Sequence, residues 1–203
     1  MSTQSVNSFS FKLLELVNDE QKNCFFSPFS VFGALSMTSA GAKKETLLEM
    51  QKVLEIEEDK NAPEQFKNLT DEFKSNREIE LLTANSMWLH KTLKLKKSFS
   101  KLTNDYYDAK CKNVDFEDDA TREEARKEIN GWVEKQTKEM IKDFIKPGIL
   151  TDATGMVLVN AVYFKALWET AFTKEETTPE QFIAASGKKS IANDEFSCKR
   201  TLL

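Results

Sequence analysis

The chain has 203 residues, of which 40% are hydrophobic and 31% are charged, enough for one substantial core. A net charge of −4 gives no electrostatic reason to expect nucleic acid or an anionic membrane as a partner. The single histidine and the three cysteines, which show no metal-ligand spacing, predict reduced thiols, no metal site and no cofactor.

The first two thirds of the chain are predicted to be mainly helical, with three strands. Apolar spacing of three and four residues predicts helices over residues 8–18, 27–41, 43–56, 63–75, 98–107 and 121–140. Alternating or continuous apolar runs predict a brief strand at 24–26, a long strand at 79–89 and a shorter one at 110–116. Thr121 to Glu124 fits a capping box for the last helix.

The second predicted helix contains no charged residue. Ser27 fits its N-cap position, Pro28 its first turn and Gly41 its end. A helix that is apolar all round is expected to be buried. Two hydroxyl groups near its start, those of Ser27 and Ser30, would then face partners in the interior.

The most apolar stretch of the chain is MVLVNAVYFKA, from Met156 to Ala166. It predicts a strand buried on both faces, interrupted by one polar side chain, Asn160. A buried amide without hydrogen-bond partners costs about 1–3 kcal/mol. We therefore expect Ser27 and Ser30 to meet Asn160. A turn at 186–189 then predicts a hairpin, after which residues 192–203 lose any clear pattern.

The sequence offers little for catalysis. A Ser–His–Asp or Cys–His arrangement could use only His90, which is expected to be exposed at a strand end. There is no G-x-S-x-G elbow and no phosphate-binding glycine loop. The chain is therefore predicted not to be an enzyme, with no catalytic residue.

Three stretches resemble signature regions of the serpin family, between about Phe9 and about Ile191. They are NCFFSPFSVFGALSMTSAGAKKETLLEM, LLTANSMWL and INGWVEKQTKEMIKDFIKPGILTDATGMVLVNAVYFKALW. The start directly at a helix, without a signal peptide, resembles the intracellular, ovalbumin-like branch, similar to leukocyte elastase inhibitors. This implies a cytoplasmic protein, or one secreted without a classical signal peptide, with no membrane partner.

The resemblance implies an α+β fold, with helices packed on a large mixed β-sheet. It also implies inhibition of a serine or cysteine protease by insertion of a cleaved reactive-centre loop into that sheet. By the family pattern, Ser27, Ser30 and Asn160 match the polar "shutter" below the opening point of the sheet. Trp168 matches the "breach" at its top.

The chain also departs from the family pattern. Residues 1–191 are expected to form an incomplete serpin domain that lacks the C-terminal strands, the reactive-centre loop and its reactive-centre residue. Residues 192–203 are expected to form a divergent tail. Two interpretations stay open: a serpin-class inhibitor in a truncated form that does not inhibit by itself, or a non-inhibitory interaction protein on a partial serpin scaffold. An exposed sheet edge would favour self-association in either case.

Overall fold

The computed structural model describes residues 3–19, 22, 24–56, 61–76, 78–171, 179–184 and 186–192. Its helices are α1 (Thr3–Val17), α2 (Pro28–Ser39), α3 (Lys44–Leu54), α4 (Ala62–Ser75), α5 (Lys97–Tyr107) and α6 (Asp119–Gln136). Its strands are β1 (Ile79–His90), β2 (Ala109–Val114), β3 (Met156–Ala166), β4 (Glu180–Ile183) and β5 (Lys189–Ala192).

The sheet that organises the fold has the strand order β2-β1-β3 within the described residues. Strand β2 runs parallel to β1, with Asn85 opposite Ala109. Strand β3 runs antiparallel to β1 along its whole length, with Asn85 opposite Asn160. The sheet is therefore mixed, as predicted, and β1 is its central strand. A separate two-stranded hairpin, β4-β5, follows.

The side chains of β1 alternate between the two faces of the sheet. Both faces therefore carry apolar side chains, and helices cover both. Trp88 packs with Phe116, Ile129 and Val133 in a core between the sheet and α6. Met87 and Leu89 point to the other face, where a second core joins β1 to α2, α4 and α5. A third core packs α1 against α2, α3 and the start of α4.

Helix α2 is the central helix of the fold. As predicted, Ser27 caps it, accepting a hydrogen bond from the Ser30 N–H at 3.3 Å, and Pro28 is its first residue. Every residue of α2 is buried or half-buried. Because the helix carries no charge, this burial needs no ion pair, and the prediction of a buried helix is confirmed.

The predicted capping box of the last helix is wrong in position. Helix α6 begins at Asp119, and its N-cap is Asp118, whose carboxylate accepts a hydrogen bond from the Thr121 N–H at 3.0 Å. The Thr121 hydroxyl instead donates to backbone carbonyls before the helix, 3.0 Å from that of Asp115. The carboxylate three residues upstream satisfies the free N–H groups of the first turn, so the helix starts earlier.

Two predictions about strands also fail. Residues 24–27 form no strand, because no strand of the described residues pairs with this run, and the Phe25 side chain is fully exposed. Strand β3 forms, but it is not buried on both faces. Only Val159 and Ala161 are buried, and Phe164 is 65% exposed. Helices cover only the middle of β3, because β3 is the edge strand of the sheet among the described residues.

Two polar residues of α6 hold the segment that returns to β3. The Asn130 amide brackets Ile145, accepting from its N–H at 2.8 Å and donating to its carbonyl at 2.9 Å. Arg126 donates to the same carbonyl at 2.7 Å and pairs with Glu123 and Asp143. These bonds seat Ile145 in the core beneath α6.

The hairpin forms where the turn at 186–189 predicted it. Gly187 adopts a φ of 77°, a backbone conformation that would be strained for a residue with a side chain. The tail is outside the described residues from 193 onward. Within the described residues, no helix combines the length and the apolar character needed to cross a membrane.

Candidate functional site

The candidate site is a cluster of polar side chains between the sheet and α2, which we call the polar cluster: Ser30, Asn160, Asn85, Tyr107 and Ser36. Its centre is the pair Asn85 and Asn160, which lie directly opposite each other on β1 and β3. Directly opposed residues of an antiparallel pair project from the same face of the sheet. The two amides are therefore brought together by the strand register.

Hydrogen bonds run in one direction through the polar cluster. The Ser30 hydroxyl on α2 donates to the Asn160 side-chain carbonyl. The Asn160 amide N–H donates to the Asn85 side-chain carbonyl at 2.9 Å. The Asn85 amide N–H donates to the backbone carbonyl of Tyr107 at 3.0 Å. One chain of bonds thus links α2, β3, β1 and the last residue of α5.

A second contact ties the same tyrosine back to α2. The hydroxyl oxygens of Tyr107 and Ser36 are 2.8 Å apart, and both residues are buried. Burial of the phenol raises the pKa of Tyr107 to about 12, although the hydrogen bond to Ser36 opposes part of that shift. The phenol is therefore neutral at physiological pH and holds α2 to α5 as a hydrogen-bonding group.

The polar cluster is closed to solvent at Ser30 and Asn85 and is more accessible at Asn160. Ser30 is 4% exposed and Asn85 is 1% exposed, whereas Asn160 is half-buried. Asn160 lies on β3, whose edge away from β1 has no strand partner among the described residues. The arrangement provides no nucleophile paired with a base. It can hold strands and helices together, and its bonds can be exchanged if β3 moves.

The predicted site residues do not all meet. Ser30 bonds Asn160, as the sequence led us to expect. Ser27 bonds to Ser30 instead of Asn160: its hydroxyl accepts a hydrogen bond from the backbone N–H of Ser30. Trp168 lies two residues beyond the end of β3 and is 69% exposed. Six residues of strand, about 20 Å, separate Asn160 from Ala166, so Trp168 is not part of the polar cluster.

Sequence reasoning missed the members of the polar cluster that complete it: Asn85, Tyr107 and Ser36. A signal for Asn85 was present, because it is an amide within an apolar strand pattern, like Asn160. No local pattern marks the carbonyl of Tyr107 as its partner.

The prediction for His90 is wrong. The residue is 8% exposed, and its ring stacks on Phe116 with ring centroids 6.4 Å apart. Phe116 follows β2 and is fully buried, and it supplies the wall that covers the imidazole.

Comparison with known sequences identifies the family. The sequence model described as Serpin (serine protease inhibitor) matches residues 4–193. Serpin B3 of Homo sapiens is 35% identical over an alignment that covers 89% of this chain and 50% of that protein. Leukocyte elastase inhibitor A of Rattus norvegicus is also 35% identical, over 88% of this chain and 48% of that protein. The chain therefore spans about half the length of these relatives.

Comparison with solved structures gives the same result for the fold. A serpin of Manduca sexta, serine protease inhibitor 12, superposes with a TM-score of 0.82 at 32% identity, covering 93% of this chain and 52% of that one. Emu ovalbumin superposes with a TM-score of 0.79 at 27% identity, covering 92% and 52%. The predicted serpin-like α+β fold is confirmed, and the chain belongs to the serpin family.

Proposed function

We propose that this chain forms part of the scaffold of a serine or cysteine protease inhibitor, and that it is not an enzyme. We also propose that the 203 residues do not inhibit by themselves. The carrying observation is that, among the described residues, β3 has no strand partner on its edge away from β1, beside the polar cluster. Serpins inhibit by adding a strand of reactive loop to a sheet, and an added strand needs a sheet edge with free backbone groups.

Within this proposal Ser27, Ser30 and Asn160 form the shutter. Ser30 and Asn160 belong to the polar cluster, and Ser27 supports Ser30 from outside it. Ser27 fixes the first turn of α2, and that turn presents the Ser30 hydroxyl to Asn160. A sheet that opens must shift β3 relative to the helix beneath it. Side-chain hydrogen bonds between polar partners can break and form again at low net cost, about 0.5–1.5 kcal/mol each, whereas close apolar packing resists displacement.

Trp168 would serve at the breach. It lies beyond Ala166, the last residue of the strand that borders the open edge. Its position, about 20 Å of strand from Asn160, fits a role at the top of the opening, separate from that of the polar cluster.

The absence of inhibition by these residues alone follows from what they contain. The resemblance matches none of them to a reactive-centre loop, and the relatives named leukocyte elastase inhibitor A, of rat and mouse, align over only 48% and 46% of their length. A chain without the loop presents no bond whose attack leaves a trapped acyl-enzyme.

The first test measures inhibition directly. The 203-residue chain is incubated with chymotrypsin, leukocyte elastase and papain, and the products are separated on denaturing gels. We expect cleavage fragments and no complex that survives denaturation. A covalent band with any of these proteases would refute the proposal that the residues do not inhibit by themselves.

The second test measures the scaffold. Residues 1–191 replace the aligned part of rat leukocyte elastase inhibitor A, and the unmodified rat protein is the control. We expect the chimera to form a denaturation-stable complex with elastase. A chimera that melts cooperatively and is cleaved without forming a complex would overturn the scaffold proposal.

A second candidate function is a non-inhibitory interaction protein on the same scaffold. Exposed apolar side chains at the end of β3 favour it: Phe164, Leu167 and Trp168 are 65%, 86% and 69% exposed. Such residues on a surface indicate a contact with another protein. A folded chimera that fails to inhibit would favour this candidate.

A further inference from the structure

Three potential metal ligands converge at one end of the sheet, away from the polar cluster. His90 is the last residue of β1 and lies opposite Val114, the last residue of β2. Because the two strands are parallel, their carboxyl ends meet at the same edge. Asp115 follows β2 directly, and Glu117 comes two residues later, before α6. The fold thus places an imidazole beside two carboxylates.

The geometry directs the imidazole at both carboxylates. The Nε2 atom of His90 is 3.9 Å from Asp115 Oδ1 and 3.9 Å from Glu117 Oε1. This atom is buried and has no hydrogen-bond partner among the described residues. The His90 side chain as a whole is 10% exposed. A buried nitrogen that faces two carboxylates without a bond needs an explanation, since buried polar atoms are normally paired.

The other ring nitrogen is engaged. His90 Nδ1 is 2.8 Å from the Thr92 hydroxyl, and it accepts a longer hydrogen bond of 3.4 Å from the Thr92 N–H. Zinc at Nε2 requires the tautomer in which Nδ1–H donates to the hydroxyl and the 3.4 Å bond is given up, and in that tautomer the lone pair of Nε2 points at the carboxylates. Metal-binding histidines are held in this way, with the second ring N–H donated to a fixed acceptor.

We propose that His90, Asp115 and Glu117 bind a divalent transition-metal cation, with Zn²⁺ as the best fit. One imidazole nitrogen and two carboxylate oxygens are ligands that Zn²⁺ accepts at about 2.0–2.2 Å, with water in a fourth position. The ligand atoms of a tetrahedral site are about 3.4 Å apart at those bond lengths. The observed 3.9 Å separations therefore need to close by about half an ångström. Glu117, whose side chain is 62% exposed, is free to make that movement.

Lys91 competes with the cation without occupying its place. Its Nζ lies 2.7 Å from Asp115 Oδ2 and 3.3 Å from Glu117 Oε2. These are the carboxylate oxygens that do not face His90. The lysine charge nevertheless repels a metal ion, and its half-exposed side chain can turn into solvent.

The bound cation would link the ends of β1 and β2 to the segment that enters α6. Phe116, between the two carboxylates in sequence, is fully buried in the core under α6 and stacks on His90. A ligand that binds only the folded arrangement stabilises it by mass action. Zinc should therefore raise the melting temperature as well as bind.

The test uses the tag-free, reduced 203-residue chain and Zn²⁺. Equilibrium dialysis measures zinc per chain, thermal melting measures stabilisation, and NMR follows the imidazole, which is unambiguous because the chain has one histidine. We expect one Zn²⁺ per chain with a shift of the His90 signals. Zinc that binds without moving these signals, through thiols for example, would overturn the proposal, as would an absence of binding at millimolar zinc.

Variants separate a metal site from a structural histidine. Glu117→Gln changes a surface residue and should weaken zinc affinity at least tenfold. Glu124→Gln, an exposed glutamate on α6, is the matched control and should leave affinity unchanged. Lys91→Met should strengthen affinity about tenfold, because it removes the competing charge. Weaker zinc binding in Lys91→Met, or equal affinity in Glu117→Gln, would contradict the assignment.

Discussion

Asn160 uses both ends of its side-chain amide. Its carbonyl accepts from Ser30, and its N–H donates to Asn85. Each partner belongs to a different element, so the amide joins the buried helix to both long strands. A side chain of this size without the amide would leave a hydroxyl and a carbonyl unpaired in a largely buried place, and unpaired buried polar groups carry the full cost of desolvation.

Replacing Asn160 by alanine should therefore destabilise the chain by about 1–3 kcal/mol. Urea denaturation followed by circular dichroism measures the free energy of unfolding. Asn104→Ala, at an exposed position on α5, is the control and should change it by less than about 0.5 kcal/mol. Equal effects of the two substitutions would show that the amide of Asn160 contributes nothing specific.

Tyr107 makes stability depend on alkaline pH. Its pKa is raised to about 12 in the fold by burial, against an ordinary value of 10.0. The unfolded chain then loses the phenol proton at lower pH than the folded chain does. The stabilising contribution is complete below pH 10 and is lost as the pH rises from 10 towards 12.

Urea denaturation at pH 8 and pH 11 tests this dependence. Tyr107→Phe should reduce the loss of stability between the two pH values by about 1 kcal/mol. The variant should also be less stable at pH 8, because Ser36 loses its hydroxyl partner. Tyr106→Phe, at the half-buried neighbouring position, is the control. An unchanged pH dependence in Tyr107→Phe would contradict the argument.

The site could be predicted only where its residues lie in segments with a clear local pattern. Contacts between residues far apart in the sequence could not be predicted. The apolar strand around Asn160 and the charge-free helix around Ser30 each show a local pattern, and their contact was expected. The Asn85–Asn160 pair depends on strand register across 75 residues, which no local pattern contains. The burial of His90 depends likewise on Phe116 of another segment.

At the scale of elements, helix α2 shows how close packing sets sequence requirements. Gly33 lies in its middle, where glycine is normally unfavourable by about 0.5–1 kcal/mol relative to alanine. A Cβ atom added there would lie 2.5 Å from Cζ of Phe66. Phe66 is stacked between Phe29 and Tyr107, with ring centroids 5.3 and 5.2 Å away, so its ring has little room to shift.

Gly33→Ala should therefore destabilise the chain by about 1–3 kcal/mol, the usual cost of overpacking a core. In the control variant, the same substitution should change the stability in the opposite direction. Gly131 lies on the exposed side of α6 with no atom within 4 Å of an added Cβ, so Gly131→Ala should stabilise by up to about 1 kcal/mol. Thermal melting of both variants checks the pair, and stabilisation by Gly33→Ala would refute the close approach.

Element types were largely predictable because each depends on local periodicity. Within the described residues, all six helices and the two strands of the hairpin lie where apolar spacing and turn residues predicted them, with shifts of up to five residues at their ends. The exposure of β3 was not predictable, since continuous apolar sequence does not reveal whether a strand lies at a sheet edge. The absence of a strand at Phe25 has the same origin: a strand needs a partner.

At the scale of the whole molecule, the edge strand β3 is available for pairing with another strand. The edge of β3 away from β1 has no strand partner among the described residues. Apolar side chains accompany that edge, including Met156 at 49% and Phe164 at 65% exposure. Backbone groups without partners next to apolar surface are the features that lead sheets to associate.

The chain should therefore form concentration-dependent oligomers, which sedimentation velocity measures. Phe164→Lys places a charge beside the edge and should shift the distribution towards monomer, because a charged edge opposes strand pairing. Phe25→Lys is the control: Phe25 is fully exposed but lies outside the sheet, so its replacement should leave sheet association unchanged. Self-association that responds to Phe25→Lys and not to Phe164→Lys would place the contact on the segment before α2 and remove β3 from the interface. A monomer at all concentrations would contradict the prediction that the edge of β3 drives association.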